Sequence, residues 1–286
     1  MVNQTATGLD HVVIFTPELD SGAEIYRRLG FHLTTRGRHS HLGTANQCII
    51  LERDYIELLT IVVPGPANER WRPIFRRGGG LGAMVFACED ARAVHAALVA
   101  RGVQADDPMD FGRPVPLPGG TVEARFSVCL LPKETSPAIA AFFCEQLTRE
   151  YVWRPEWQVH PNGATGVAGL TIVTPSPAEL APAYQALLGD SAVEKRRGRV
   201  TLTLGGARVW IITPAEAERR LGSAVDALLG EPRPIGLTIT VRDLAATKAH
   251  LDSREVAYVP FGRQSIRVAP GSTHGIHLEF LQPDPA

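Results

Sequence analysis

His11 and Glu57 are the first residues of this chain whose types and spacing could do chemistry. His11 stands in an apolar stretch, residues 9–16, and Glu57 stands in a second one, residues 55–63. Both stretches read as β-strands, and an imidazole and a carboxylate on two strands of one unit are two halves of a metal site. A buried carboxylate must meet a cation or water, so Glu57 is either a ligand or an outward-facing edge residue. His11 is likewise either a ligand or a satisfied core residue.

The elements that must position these residues follow a pattern that recurs four times. Each copy is an apolar strand, an amphipathic helix and three further strands, and the copies begin near residues 9, 81, 167 and 235. In the first copy, strands are predicted at 9–16, 31–36, 46–51 and 55–62, with a helix that Gly30 ends. The later helices are predicted at 91–101, 177–188 and 243–253. Such a period indicates a duplicated structural unit.

Two units in each of two domains is the simplest division of the chain. The N-terminal domain is predicted at 8–148, the linker at 149–164 and the C-terminal domain at 165–284. Prolines interrupt any periodicity within the linker, which is typical of a domain boundary. The proline-rich insert 113–120 reads as an exposed loop within the second unit.

Composition restricts the classes of partner. The 286 residues are 44% hydrophobic, and 29 Lys and Arg stand against 30 Asp and Glu. This balance gives no field that would gather nucleic acid or an anionic membrane, so a small molecule is the expected partner. The chain shows no export signal and no apolar stretch long enough to span a membrane. Its four cysteines form no CxxC pair and read as reduced core residues, which predicts a cytoplasmic location.

This organisation resembles the vicinal oxygen chelate superfamily, which includes glyoxalase I, extradiol dioxygenases and bleomycin-resistance proteins. The segments 9–13, 38–46 and 55–58 are similar to the group called glyoxalase-like domain proteins. The resemblance covers the first two units well and the last two more loosely. It implies an α+β fold in which four βαβββ units pair into two cups of bent mixed sheet with helices outside. It also implies that a divalent metal is bound by the first and last strands of each unit.

Carried onto this chain, the resemblance implies the metal ligands His11, Glu57 and Glu145. Glu145 is taken as the counterpart of Glu57 in the second unit, while Ala83 falls where His11 falls and cannot bind a metal. One imidazole and two carboxylates would suit Fe, Mn, Zn or Ni and leave positions open for substrate. Glu57 and Glu145 are also the predicted catalytic residues, alternating between ligand and general base.

Three further polar residues are predicted to bind substrate. His41 and Asn46 lie in a segment that joins two strands and is rich in basic, hydroxyl and amide groups, although the same segment could simply shape a hairpin. His160 lies in the linker and could fold over the cup, although Pro161 and the residues after it are foremost a turn signal. In the second pair of units, only Glu279 matches the histidine and glutamate positions of the first unit, so the C-terminal cup is predicted to be a degenerate metal site.

The leading hypothesis is a metal-dependent enzyme of lyase, isomerase or dioxygenase type acting on a small oxygen-chelating substrate in the N-terminal cup. The competing class is a non-catalytic binding or resistance protein of the same fold without metal, which Ala83 favours. A degenerate structural protein is the third possibility. Because such units also pair between subunits, a homodimer is one arrangement that the fold allows.

Overall fold

The computed structural model describes residues 5–221 and 231–284, which form two eight-stranded mixed sheets with helices packed against them. The elements of the first half are, in chain order, β1 (Gly8–Phe15), α1 (Leu19–Arg28), β2 (Gly37–His39), β3 (Thr44–Ile50), β4 (Tyr55–Ile61), α2 (Arg72–Arg76), β5 (Gly80–Ala87), α3 (Ala91–Ala100), β6 (Met109–Leu117), β7 (Gly120–Leu130) and β8 (Ala140–Gln146). Those of the second half are β9 (Ala164–Val173), α4 (Pro177–Leu188), β10 (Val193–Arg196), β11 (Arg199–Leu204), β12 (Ala207–Ile212), α5 (Pro214–Leu221), β13 (Arg233–Val241), α6 (Leu244–Ser253), β14 (Tyr258–Phe261), β15 (Ser265–Val268) and β16 (His277–Leu281).

Both sheets have the same topology. The first runs in the order β2-β3-β4-β1-β5-β8-β7-β6 and the second in the order β10-β11-β12-β9-β13-β16-β15-β14. In each unit the first and last strands pair in parallel, and the two units meet through antiparallel first strands, β1 with β5 and β9 with β13. The edge strands β2 and β6 also contact each other, so the first sheet nearly closes. The predicted α+β fold of paired βαβββ units in two cups is therefore confirmed.

Two local predictions are wrong. The strand expected at 31–36 is displaced, and the short strand β2 at Gly37–His39 takes its place. The insert 113–120 is not a loop, because it contributes the end of β6 and its hairpin into β7. Pro114 and Pro116 fit in β6 because an edge strand has one side without a partner strand, where a missing N–H leaves no ladder bond unmade.

The helices begin and end at residues of the expected type. Asp90 caps α3 by accepting hydrogen bonds from two backbone N–H groups of its first turn, and Asp243 does the same for α6. Gly30, which follows α1, has a φ of 88°, a conformation that glycine adopts without strain. The matching caps of α3 and α6 come from corresponding positions of the second and fourth units.

One continuous apolar core joins the two halves, and a smaller apolar cluster fills the concave face of each sheet. At the junction, the Val167 N–H donates a hydrogen bond of 2.9 Å to the buried carboxylate of Asp54. The segment predicted as a linker contains two short 3₁₀ turns, 149–151 and 155–157. Its role as a boundary between domains stays a prediction, as do the proposed domain limits; residues 222–230 of the predicted C-terminal domain lie outside the described residues.

Candidate functional site

The alternation of side chains along β1 and β4 places His11 and Glu57 on the concave face of the first sheet. Val13 and Leu59 belong to the apolar cluster of that face, whereas Val12 belongs to the core on the helix side. Residues two apart on a strand share a face, so the two polar side chains point into the cup. They line a cavity of about 100 Å³, which we call the N-terminal cavity.

His11 is fixed on both sides within this cavity. Its Nδ1 lies 2.5 Å from Oδ1 of Asp10, and its ring stacks on Tyr55 with 4.2 Å between the ring centroids. Gln146 holds Asp10 in turn by donating hydrogen bonds of 2.9 and 3.2 Å to its two oxygens. Because an ionised carboxylate only accepts hydrogen bonds, Nδ1 carries the proton and Nε2 is the ring atom that faces the cavity.

Glu57 is held by a neighbour in the same way. Its Oε1 accepts a hydrogen bond of 2.7 Å from the amide of Asn46, and its Oε2 lies 3.8 Å from Nε2 of His11. Only 7% of the residue is exposed. The gap between Oε2 and Nε2 is too long for a direct hydrogen bond, so the two atoms face each other across a space that a third group can enter.

The donors on the second unit do not complete a metal site. His11 pairs with Tyr55, two residues before Glu57, and Ala83 pairs with Ala140, two residues before Phe142. By this register Phe142 is the counterpart of Glu57, and it lines the cavity while offering no ligand atom. Ala83 offers none either, so both ligand positions of the second unit are apolar.

Glu145 lies on the opposite face of β8 from the cavity. Its Oε2 accepts a hydrogen bond of 3.0 Å from the backbone N–H of Ala91, at the start of α3. The prediction that Glu145 joins His11 and Glu57 is therefore wrong, because an odd shift in register moves a strand residue to the other face. Within residues 5–221 and 231–284 no three His, Cys, Asp or Glu side chains are placed to hold one metal ion. The residues present do not fit a metal bound by three protein ligands.

The three predicted substrate-binding residues lie in different places. Asn46 lines the N-terminal cavity through its contact with Glu57. His41 is exposed in the turn after β2, with its ring 5.2 Å from the ring of Phe111, which lines the cavity. His160 does not face the cup, because its Nδ1 accepts a hydrogen bond from the backbone of His32 and its Nε2 donates one to the carbonyl of Ile50. The prediction that His160 covers the cup is wrong.

Several further polar residues of the cavity were missed by sequence reasoning, among them His39 and Arg113. His39 is buried, with its Nδ1 3.0 Å from the hydroxyl of Thr44, and burial lowers its pKa to about 4. Arg113, on the proline-rich strand β6, also lines the cavity and is 6% exposed. The prolines that suggested a loop at 113–120 are also the reason that Arg113 was not predicted to line the cavity.

Asp10 was missed because strict alternation would place it away from His11. An irregularity in the pairing of β1 with β5 between Leu9 and His11 brings the two side chains close together.

The C-terminal cup lacks a counterpart of the pair formed by His11 and Glu57. Gly169 and Gly236 take the place of His11 in units three and four, and Trp210 takes the place of Glu57 in unit three. A side chain at Gly169 would meet the backbone carbonyl of Arg208 and, at 2.6 Å, the Trp210 ring, so the neighbouring strand and this ring together fill the space. Glu279 keeps the carboxylate, which accepts a hydrogen bond of 3.2 Å from Thr238.

Two cups built from paired βαβββ units define a glyoxalase-like fold. The family described as the glyoxalase-like domain matches residues 9–188, and the chain belongs to this family. No curated protein sequence matches the chain. No helix of the described residues is long and apolar enough to cross a membrane.

Solved structures of low sequence identity share the fold. A hypothetical protein from Staphylococcus aureus is 12% identical, with a TM-score of 0.67 over 96% of this chain and 99% of its own. A mutant of 4-hydroxymandelate synthase from Streptomyces coelicolor is 14% identical, with a TM-score of 0.58 over 98% of this chain and 94% of its own. A fusion of a xylose isomerase-like TIM barrel with 4-hydroxyphenylpyruvate dioxygenase is 13% identical, with a TM-score of 0.61 over 98% of this chain and 49% of its own.

Proposed function

We propose that the chain is an enzyme whose N-terminal cavity binds a small oxygen-bearing substrate and moves a proton with Glu57 and His11. The observation that carries this proposal is the 3.8 Å gap between Oε2 of Glu57 and Nε2 of His11. Asn46 holds the other carboxylate oxygen of Glu57, and Asp10 holds the other ring nitrogen of His11. Two hydrogen-bond acceptors that face each other in a buried space require a proton or a cation between them. A substrate that enters this gap meets the Glu57 carboxylate as a base on one side and, on the other, the His11 imidazole, which can accept or give a proton at Nε2.

The reaction class that fits is proton transfer at a carbon next to a carbonyl group. Glu57 takes the proton from carbon, and the electron pair of the broken C–H bond becomes the enolate. His11, in its protonated form, gives a proton from Nε2 to the enolate oxygen. Glu57 then returns its proton to the same or the neighbouring carbon, and a hydroxyl proton of the enol or enediol returns to Nε2 of His11, which completes the exchange or isomerisation and restores both groups. Asp10 takes no proton in this scheme. Its carboxylate accepts the hydrogen bond from Nδ1 and so keeps the ring of His11 in position.

Deuterium exchange tests the proposal without knowledge of the physiological substrate. Hydroxyacetone and 2-hydroxyacetophenone are incubated in D₂O with the protein, and loss of the α-proton signal is followed by ¹H NMR. We expect Glu57→Gln to slow enzyme-dependent exchange by about 100-fold or more, the range of one general base. The matched control is Glu145→Gln, the same change on the outer face of β8, which keeps the wild-type rate. Exchange as fast in Glu57→Gln as in the wild type would contradict the proposal.

A divalent metal, Fe, Mn, Zn or Ni, in the same gap is a second candidate. The observation that favours it is the contact between Asp10 and His11, since ligating histidines commonly give their other ring N–H to a carboxylate. His11 and Glu57 would be its protein ligands. Metal content measured by plasma mass spectrometry separates the two candidates. Stoichiometric metal that is lost in both His11→Ala and Glu57→Ala supports the metal, and exchange that survives EDTA supports proton transfer without it.

The non-catalytic binder remains the alternative class, and the apolar residues Ala83 and Phe142 in the ligand positions of the second unit support it. It predicts that ligands bind in the cavity while neither α-hydroxy ketone exchanges its proton above the rate without protein. The exchange experiment therefore distinguishes an enzyme from a binder as well as identifying the base.

A further inference from the structure

The guanidinium of Arg113 has no anionic partner in the structure. Arg113 is 6% exposed, and within the part of the chain that is described it forms no hydrogen bond and no ion pair within 4.0 Å. It lies on β6 with Phe111 and Val115 on the same face, and both belong to or pack against the cluster inside the cup. Its closest aromatic contact is the ring of Phe126, whose centroid is 6.0 Å from the guanidinium carbon.

Burying a cation without a partner costs free energy. Such a cation at the wall of a cavity therefore indicates that an anionic ligand binds beside it. We propose that Arg113 binds the carboxylate of the substrate, and that the substrate is a small organic acid with an apolar or aromatic body. This inference rests on the proposed role of the N-terminal cavity as the substrate site. The guanidinium presents N–H groups in a planar fork that matches the two oxygens of a carboxylate.

His39 supplies a second donor to the same group. Where the Thr44 hydroxyl donates to Nδ1, the other nitrogen of the neutral ring, Nε2, carries the hydrogen, and no described residue accepts it. His39 lines the cavity together with Arg113, and the charge of Arg113 acts on its ionisation. Arg70 also lines the cavity, but its guanidinium is paired with Asp106 at 3.2 Å. Arg113 is therefore the charged donor with no ion pair among the described residues, and His39 is a neutral donor beside it.

The charge and size of the cavity favour one negative charge over two. Glu57 borders the same space, so a dianion would meet more repulsion from its carboxylate than a monoanion would. The volume of about 100 Å³ is suited to a single small organic molecule. Most of the remaining wall is apolar, and it includes the aromatic rings of Phe15, Trp71, Phe111, Phe126 and Phe142. An aromatic or branched apolar body would bury its surface against these rings.

Binding of benzoate, benzamide and phenyl phosphate to the full chain tests the inference. Isothermal titration gives the dissociation constants, and the fluorescence of Trp71 at the cavity wall gives an independent readout. We expect the wild type to bind benzoate more tightly than benzamide and phenyl phosphate. In Arg113→Met, benzoate binding weakens by about 10- to 100-fold while benzamide binding is nearly unchanged, because only the carboxylate uses the charge. Arg113→Lys keeps the charge and retains part of the affinity.

The matched control is Arg38→Met, which removes an exposed arginine from the adjoining strand β2 and leaves benzoate binding unchanged. Glu57→Gln separates the inference from the proposed function, because it abolishes proton exchange yet binds benzoate at least as tightly as the wild type. Equal affinity of wild type and Arg113→Met for benzoate would overturn the inference. A wild-type preference for benzamide or phenyl phosphate would do the same.

Discussion

Asp10 and His11 are consecutive in the chain, yet their side chains form a buried pair with 2.5 Å between Oδ1 and Nδ1. On a regular strand they would point to opposite faces. The irregular register of β1 against β5 at this point brings the carboxylate around to the ring. The pair fixes which nitrogen of His11 faces the cavity, and its loss has a defined kinetic effect.

Replacement of Asp10 by asparagine should slow proton exchange about 10- to 100-fold, the usual effect of removing a carboxylate that orients a functional histidine. The amide can turn its NH₂ group toward Nδ1, and it lacks the negative charge that stabilises the protonated ring, the form that gives a proton from Nε2 in the proposed scheme. The full pH profile of exchange should be measured for wild type and Asp10→Asn. A merely structural role predicts an unchanged profile with less folded protein.

Arg113→Met should stabilise the protein in the absence of ligand, because it replaces a largely buried guanidinium, which has no ion-pair partner among the described residues, by an apolar side chain of similar length. The expected gain is about 1–3 kcal/mol in the free energy of unfolding. Urea denaturation of both proteins measures it. Arg38→Met, which alters an exposed arginine, should leave the unfolding free energy nearly unchanged. A large loss of stability in Arg113→Met would indicate that the guanidinium has a partner within the protein.

Burial raises the pKa of the Asp54 carboxyl to about 7, despite its hydrogen bond from the Val167 N–H. The folded protein therefore keeps a proton on Asp54 at pH values where the unfolded chain has lost it, and this contribution to stability falls as pH rises from about 4 to about 7. Each unit of pKa difference corresponds to about 1.4 kcal/mol, so the fall is at most about 4 kcal/mol.

The titration of His39 changes the stability of the protein with pH in the direction opposite to that of Asp54. Its pKa is lowered to about 4 by burial, so the unfolded chain binds the proton first and stability rises between about pH 4 and pH 6.5. The Asp54 contribution must therefore be isolated as a difference between wild type and Asp54→Asn, measured by urea denaturation at a series of pH values. We expect Asp54→Asn to gain stability relative to wild type as pH rises to 7. A difference independent of pH would contradict this.

His160→Ala should cost stability without changing catalysis. The substitution leaves the buried Ile50 carbonyl without its partner, at about 1–3 kcal/mol, and frees the N–H of the exposed residue His32 at a smaller cost. Chemical denaturation measures the loss, and the exchange rate per folded molecule should equal that of the wild type. A selective rise in KM with unchanged stability would instead restore His160 as a residue that contacts substrate.

Period-two alternation and glycine stops are local signals, so they were sufficient to predict the repeated unit. The pairing of units into cups, with His11 and Glu57 close together, was implied by the family resemblance. The role of these two residues as metal ligands stays a prediction. Glu145 shows where local signals fail, since a small error in register between distant strands moves a side chain to the other face. Asp10 depends on an irregular strand pairing that no composition reveals. Arg113 was concealed by prolines that an edge strand tolerates.

The C-terminal cup is more than a copy of the N-terminal cup without its polar pair, because Trp210 takes up the place of that pair in unit three. Its ring and the backbone carbonyl of Arg208 together occupy the volume into which any side chain at Gly169 would have to project. Introducing histidine at Gly169 alone would force the ring and the adjoining backbone apart, so no single substitution can rebuild the pair there. At least two changes must arrive together, and the first of them alone lowers stability. The asymmetry between the halves is therefore hard to reverse by stepwise mutation.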